Sequence, residues 1–293
     1  MGTSKSKLPA PVELITPRAL YNMQADLQSN HCVLDVRGRE HYDASHCDLS
    51  ACAASGPIEF PDPFDPTYTR APVTRPFDLA IVYGAEEDAT CAEVFSRLNR
   101  RYARALRPAR LIDYNAFAEL YPFLMTGHPH YVEGRLFPSQ IDDRVFLSNY
   151  GVASNPDIVR LLGITHVINC TVDCPFVVLP PECDQMALQP ALLRIPVIDE
   201  SDEQIGSYFR VASEFLDAAL ADHVSRVLIH CKHGQSRSAA VAAAFLIACR
   251  GHTTDTALAF LKASRPKVSP NAGFVVQLRH FEREVGRMAN RIY

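Results

Sequence analysis

A cysteine and an arginine with five residues between them point to one kind of chemistry. In His230-Cys-Lys-His-Gly-Gln-Ser-Arg-Ser238 the sulfur of Cys231 opens a short segment that Arg237 closes. Folded as a loop, such a segment brings a nucleophile and a planar, always-charged fork onto one phosphoryl group. The apolar residues before it, Val227 to Ile229, predict a short buried strand, and the alanine-rich run Ala239 to Ile247 predicts a buried helix. A loop between a strand end and a helix N-terminus forms a nest of amide N–H groups at the positive end of a helix dipole, which suits an anion. A free thiol titrates near ~8.5, but one facing amides, a guanidinium and a helix N-terminus is expected to be a thiolate at neutral pH.

Each neighbour has an expected part. Arg237 holds two equatorial oxygens of the phosphoryl group, with Lys232, His233, Gly234, Gln235 and Ser236 forming the cradle around it. Ser238 donates its hydroxyl to the sulfur and eases its later departure, and His230 is expected to hold the loop rather than react. The departing oxygen needs a proton. Ile195-Pro-Val-Ile-Asp199 reads as an apolar strand ending in a carboxylate, placing Asp199 where it can supply that proton. Glu200, Asp202 and Glu203 crowd it, so a neighbour remains an alternative donor.

The pattern His-Cys-x5-Arg-Ser resembles the signature of the cysteine-dependent protein tyrosine phosphatases. Gly234-x-Ser236-Arg237-Ser238 is similar to its dual-specificity branch. The likeness extends over residues 137–285 through Leu162-Gly-Ile-Thr-His-Val-Ile-Asn169, Arg265-Pro266, Ser269-Pro-Asn271, Gly273-Phe274 and Gln277-Leu278. What the resemblance implies is an α/β domain with a central sheet flanked by helices. It also implies a cysteinyl-phosphate intermediate, no cofactor and no metal. Under it Asp199 matches the general-acid position and Asn271 hydrogen-bonds the phosphate loop from beneath.

The elements that must carry this site occupy only the second half of the chain, which at 293 residues is long enough for two cores. Residues 9–125 read as a first α/β domain. Thr16-Pro17 opens a helix continued by Leu20, Met23 and Leu27; Cys32 to Val36 and Leu79 to Tyr83 are strands; Pro57 to Pro76 is loop. Leu34-Asp-Val-Arg37, Tyr42 and Ser45-His46 resemble the rhodanese-like domain. In a working rhodanese the strand matching Leu79–Tyr83 delivers a cysteine into an anion-binding loop, but here Gly84-Ala-Glu-Glu-Asp88 follows, so the domain is expected to be non-catalytic. Cys91 is expected on a helix face. The pairing resembles MAP kinase phosphatases, whose first domain docks the kinase through basic residues. Here Asp48 to Phe77 offers only Arg70 and Arg75 against Glu59, Asp62 and Asp65.

The remaining boundaries are a flexible start at 1–8, a linker at 126–136, the phosphatase domain at 137–288 and a tail at 289–293. In the second domain Val145 to Leu147 and Ile164 to Asn169 are expected strands, and Asn155-Pro156 opens a helix that Gly163 closes. Ile205, Phe209, Ala212, Leu216 and Ala219 line one helical face. Phe274, Leu278, Phe281, Val285 and Met288 line another.

Composition narrows the surroundings. With 29 basic and 33 acidic residues the chain lacks a broad nucleic-acid footprint. Nine cysteines without a framework fit reduced thiols, Cys170 and Cys174 have no matching metal-ligand pair, and no run is long and apolar enough to span a membrane. A cytoplasmic location is expected. Gly2 with Ser6 and Lys7 matches an N-myristoylation pattern, and one such chain would give weak, reversible membrane association. The substrates this reading implies are phosphorylated proteins, MAP kinases among them; the oligomeric state is not fixed. Two rivals stand beside it. One is a phosphate-reading scaffold like the serine/threonine/tyrosine-interacting-like pseudophosphatase, against which Cys231, Arg237 and Asp199 all speak. The other is a phosphoinositide phosphatase, which the charge of Lys232 and His233 would favour.

Overall fold

The computed structural model describes residues 12–25, 31–35, 44, 50–52, 78–83, 109–127, 131, 136–180 and 189–289. Gly2, Gly84 to Asp88, Cys91 and most of Asp48 to Phe77 lie outside the described residues. The chain divides into two compact units, Met1–Arg135 and Leu136–Tyr293.

In the first unit, strands β1 (Val12–Leu14), β2 (His31–Asp35), β3 (Ser50–Cys52), β4 (Asp78–Tyr83) and β5 (Ala109–Asp113) form a five-stranded sheet in the order β1-β5-β4-β2-β3. Every pairing is parallel. Helix α1 (Pro17–Ala25) starts where the Thr16 hydroxyl accepts the Ala19 amide at 3.2 Å, and proline at the first turn loses no bond it would have made. Helix α2 (Tyr114–Leu120) follows β5 directly. Tyr21 of α1 stacks on Tyr121 with ring centroids 4.7 Å apart, and Phe117 of α2 packs against the same ring at 5.1 Å.

The second unit is a mixed sheet with helices on it. Strands β6 (Ser139–Asp142), β7 (Val145–Asn149), β8 (His166–Asn169), β9 (Ala191–Arg194) and β10 (Val227–Cys231) lie in the order β6-β7-β10-β8-β9. β6 is antiparallel to β7, and the other pairs are parallel. β10, the last strand along the chain among the described residues, is inserted between β7 and β8, so its C-terminal end opens at the centre of the sheet. Ligands in such sheets bind at the carboxyl ends of the strands. Its five residues are all buried, as a central strand covered on both faces requires.

Two short helices, α3 (Tyr150–Ala153) and α4 (Pro156–Leu161), leave β7. The Asn155 side chain caps α4 by accepting the Asp157 amide at 3.0 Å, and Gly163 turns the chain away at φ 60°. After β9, a 3₁₀ turn at Ile205–Tyr208 runs into α5 (Phe209–Ala221). Helices α6 (Arg237–Arg250), α7 (Thr254–Ser264) and α8 (Ala272–Ala289) complete the unit. α6 is buried on every side from Arg237 to Ile247. A helix apolar all round must be enclosed, and its alanines let neighbouring helices approach closely. Phe245 of α6 itself and Phe209 and Phe274 of the neighbouring helices are fully buried, and each contributes roughly 1.5–3 kcal/mol by leaving water.

Two expectations are corrected. Ile195 to Asp199 is not a strand, because the sheet ends with β9 at Arg194. Ile195 makes one last bond, its amide to the Asn169 carbonyl at 2.9 Å, and Pro196 has no N–H with which to continue. The alternation is real, with Ile195 and Val197 buried and Ile198 half exposed, but it belongs to a loop. On α8, Phe274, Leu278 and Phe281 face the core as expected, whereas Met288 is 47% exposed because the helix has run past the core by its last turn.

Candidate active site

The Cys231–Arg237 loop and His230 just before it are fixed through four main-chain carbonyls. The His230 carbonyl accepts the Cys170 amide at 2.8 Å, that of Lys232 accepts the Tyr150 amide at 3.2 Å and that of Gln235 accepts the Ser269 amide at 2.9 Å. The Gly234 carbonyl accepts Nε of Arg265 at 2.8 Å. Gly234 sits at φ 68°, and a Cβ there would stand 2.5 Å from the Ser148 carbonyl oxygen. Both the backbone region and the close approach to β7 demand glycine. With carbonyls pointed outward, the loop's amides are free to turn inward.

Cys231 is the focus of those donors. Its sulfur accepts the Ser238 hydroxyl at 3.1 Å and the Gly234 amide at 3.2 Å. Burial alone would push this thiol up. The Ser238 hydroxyl and amide, the Arg237 charge and the Gly234 amide together outweigh burial and bring it below its ordinary value. Cys170 extends beyond β8 beside Cys231 and is driven the opposite way: burial first, then the neighbouring Cys231, hold its thiol well above the usual range. One thiol is therefore primed as a nucleophile, and its neighbour stays protonated.

Arg237 opens α6 with its guanidinium buried against the loop. One nitrogen, Nη1, donates to the Val197 carbonyl at 3.2 Å. Nε has no hydrogen-bond partner and lies 3.6 Å from Oδ2 of Asp199. That leaves a fixed, charged donor available to a phosphoryl oxygen.

Asp199 is tied to the same loop. Its Oδ1 accepts the Ser236 hydroxyl at 2.6 Å and the Asn271 side-chain amide at 3.0 Å, leaving Oδ2 toward Arg237. The neighbouring acids face elsewhere. Glu203 turns its carboxylate onto the amides of its own loop, Ile198 at 3.4 Å and Gln204 at 3.2 Å, and Glu200 and Asp202 are exposed.

Of the other expected site residues, Lys232, His233 and Gln235 project into solvent, and Ser236 is buried. His230 is buried with its ring 6.2 Å from that of Tyr150. Burial pulls its imidazole down to about 4, the Cys231 backbone opposing and the Arg194 charge assisting, so it is neutral at pH 7. Asn271 departs from its expected contact. Its main-chain amide reaches the loop at the Ser236 hydroxyl, 3.2 Å, while its side chain goes to Asp199 and caps α8 through the Phe274 amide at 2.9 Å. Arg265, 4% exposed and bonded to Gly234 and Ser139, entered the sequence reading only within the Arg265-Pro266 likeness, with no contact assigned to it. A lone arginine after a helix gives no signal of that contact. Among the described residues no cluster of His, Cys, Asp and Glu has the arrangement of a metal site.

A thiolate ringed by donors, a fixed guanidinium and a carboxylate bonded to the same loop form an arrangement that displaces at phosphorus. Residues 145–284 match the family described as dual specificity phosphatase, catalytic domain. Dual specificity phosphatase 28 from Mus musculus is 31% identical over 151 residues, covering 52% of this chain and 87% of the mouse protein. The chain belongs to the dual specificity phosphatase family. A second relative of this phosphatase, dual specificity protein phosphatase 4 from Gallus gallus, is 30% identical over 225 residues, covering 68% of this chain and 56% of that one. Among solved structures, a mouse dual specificity phosphatase described as putative in its name is 31% identical to this phosphatase. It covers 54% of this chain and 94% of its own, with a TM-score of 0.49.

Proposed function

We propose that this phosphatase hydrolyses phosphotyrosine and phosphoserine or phosphothreonine in proteins through a cysteinyl-phosphate intermediate. The carrying observation is the pair of bonds into one sulfur, Ser238 Oγ at 3.1 Å and Gly234 N at 3.2 Å, on a loop whose Ser236 also holds Asp199. The Cys231 thiolate attacks phosphorus while Arg237 and the loop amides hold the phosphoryl oxygens. The ester P–O bond breaks, and Asp199 passes its proton to the departing oxygen. Water then attacks the cysteinyl phosphate, returning a proton to Asp199. The S–P bond breaks toward a thiolate that Ser238 stabilises, and inorganic phosphate leaves.

The test is hydrolysis of a small aryl phosphate across pH with EDTA present throughout. Activity that persists in EDTA and disappears in Cys231→Ser supports the mechanism; activity equal in Cys231→Ser and the parent protein refutes it.

For the first unit, the parallel sheet supports a rhodanese-like domain, and the likeness to the chicken protein, which extends beyond Leu136–Tyr293, supports a two-domain layout of the MAP kinase phosphatase kind. MAP kinases are then the finer substrate reading. Selective dephosphorylation of a phosphorylated MAP kinase by the full chain over the isolated second unit would test it. Equal rates by the two would remove the docking role. Myristoylation at Gly2 and a cytoplasmic location with weak membrane association complete the proposal, and mass measurement of the N-terminal peptide from eukaryotic cells decides the lipid.

A further inference from the structure

The segment carrying Asp199 makes no ladder bonds after Ile195, yet its far end is gripped by one side chain of α8. Gln277 accepts the Gly206 amide at 2.7 Å through Oε1 and donates to the Glu203 carbonyl at 2.8 Å through Nε2. From there the contact continues toward the acid. The Glu203 carboxylate accepts the Ile198 amide at 3.4 Å, one residue before Asp199. The near end of the segment rests on the same helix: Asn271 bonds Oδ1, and a Cβ on Gly273 would stand 1.8 Å from the Ser201 carbonyl oxygen. Gly206 matches Gln277 in the same way, since a Cβ there would approach Oε1 to 2.9 Å. The half-buried amide of Gln277 touches neither the sulfur nor Arg237, so the catalytic chemistry does not account for its two bonds.

We propose that Gln277 is a positioning residue that holds the Asp199 loop in register with Cys231, acting through the Glu203 main chain and side chain. This inference rests on the reading of Asp199 as general acid. A loop held at one end only would let the carboxyl swing away from the leaving oxygen, and proton transfer depends on hydrogen-bond reach. The role is specific to protonation. Cys231 and the loop amides are held by β7, β8 and Arg265, and Arg237 meets the segment at Val197 and Asp199, on the side of Ile195's ladder bond rather than at the end that Gln277 grips.

Leaving-group dependence separates this role from a structural one, because a good leaving group departs without a proton and a poor one does not. In Gln277→Ala, kcat for phenyl phosphate is expected to fall about 10-fold, a fraction of the 10²–10⁴ that a positioned acid contributes, with p-nitrophenyl phosphate little changed. Gln277→Glu fills the same volume and keeps the acceptor for Gly206 while losing the donor to Glu203; it is expected to show the same pattern with the unit still folded by thermal unfolding. In an Asp199→Ala background, the Gln277 substitutions are expected to add nothing, because the group they position is gone. Equal losses on both esters, or a Gln277 effect undiminished without Asp199, would overturn the proposal. Asp199→Ala serves as the separate control: if it shows no extra loss on phenyl phosphate, the general-acid reading itself fails. If Asp199→Ala shows that loss and neither Gln277 variant does, only the positioning role fails.

Discussion

The hydroxyl of Ser238 lies 3.1 Å from the sulfur of Cys231, seven residues apart in the chain and joined across the mouth of α6. This is the largest of the influences that draw the thiol down against its burial. Ser238→Ala is expected to shift thiolate formation to higher pH. Iodoacetate alkylation of Cys231 at mildly acidic pH should slow while the rate at high pH is kept. Turnover should fall by roughly 10², the lower end of what removing one preorganised donor costs. An unchanged alkylation profile would contradict the role assigned to the hydroxyl.

Asp199→Ala is expected to lower kcat on a phosphotyrosyl peptide by on the order of 10²–10⁴, the span of a positioned acid–base group. Glu203→Gln keeps an acceptor for the Ile198 amide and should cost far less, since that carboxylate serves its own loop. The comparison is made by steady-state kinetics on both variants, and equal losses would move the proton donor away from Asp199.

Gly234→Ala tests the loop's geometry. The left-handed conformation alone costs roughly 1–2 kcal/mol for a residue with a Cβ, and contact with Ser148 adds to it. Denaturant unfolding should show at least that loss, together with a large fall in activity as the amide leaves the sulfur.

His230 gives the stability a pH dependence of definite sign. Its folded imidazole titrates near about 4, against an ordinary 6.5. Between those values the unfolded chain binds a proton that the folded one does not, so stability is fully present above about pH 6.5 and is lost as pH falls toward 4. The loss amounts to on the order of 3 kcal/mol. Urea titrations at pH 7 and pH 5 on the parent and on His230→Gln should show that part of the acid sensitivity missing in the variant.

The nucleophile and its fork were legible because they are contiguous. From His230 to Ser238 the chain itself supplies strand end, loop and helix start, and no long-range contact is needed to see them. Asp199 was legible as chemistry but not as structure. Its approach reads as a strand because Ile195 and Val197 alternate inward, and only Pro196 and the short reach of β9 reveal a loop. Gln277, Gly273 and Arg265 were legible only as parts of the family likeness, and the contacts they make were out of reach. Each acts on a partner more than thirty positions away, and an exposed-looking glutamine or a lone arginine carries no period that encodes such a contact. Asn271 shows the boundary between the two: its place near the site could be read, but whether its amide would meet the phosphate loop or the acid depended on how α8 begins.

The enclosure of α6 has a bearing on how sequence change can enter this protein. Arg237 and Ser238 are the first two residues of a rod sealed in on all faces to Ile247. A methyl group added at Ala242 or Ala243 has no solvent to expand into, and close-packed interiors pass strain along rather than absorb it. Only its last residues, Ala248 to Arg250, emerge from the core, and because the rod is rigid an axial shift toward that end draws Arg237 with it. Substitutions about one to two turns from the chemistry would then register as a displaced guanidinium before they register as a melted domain, so a loss-of-activity allele in this helix need not touch the phosphate at all.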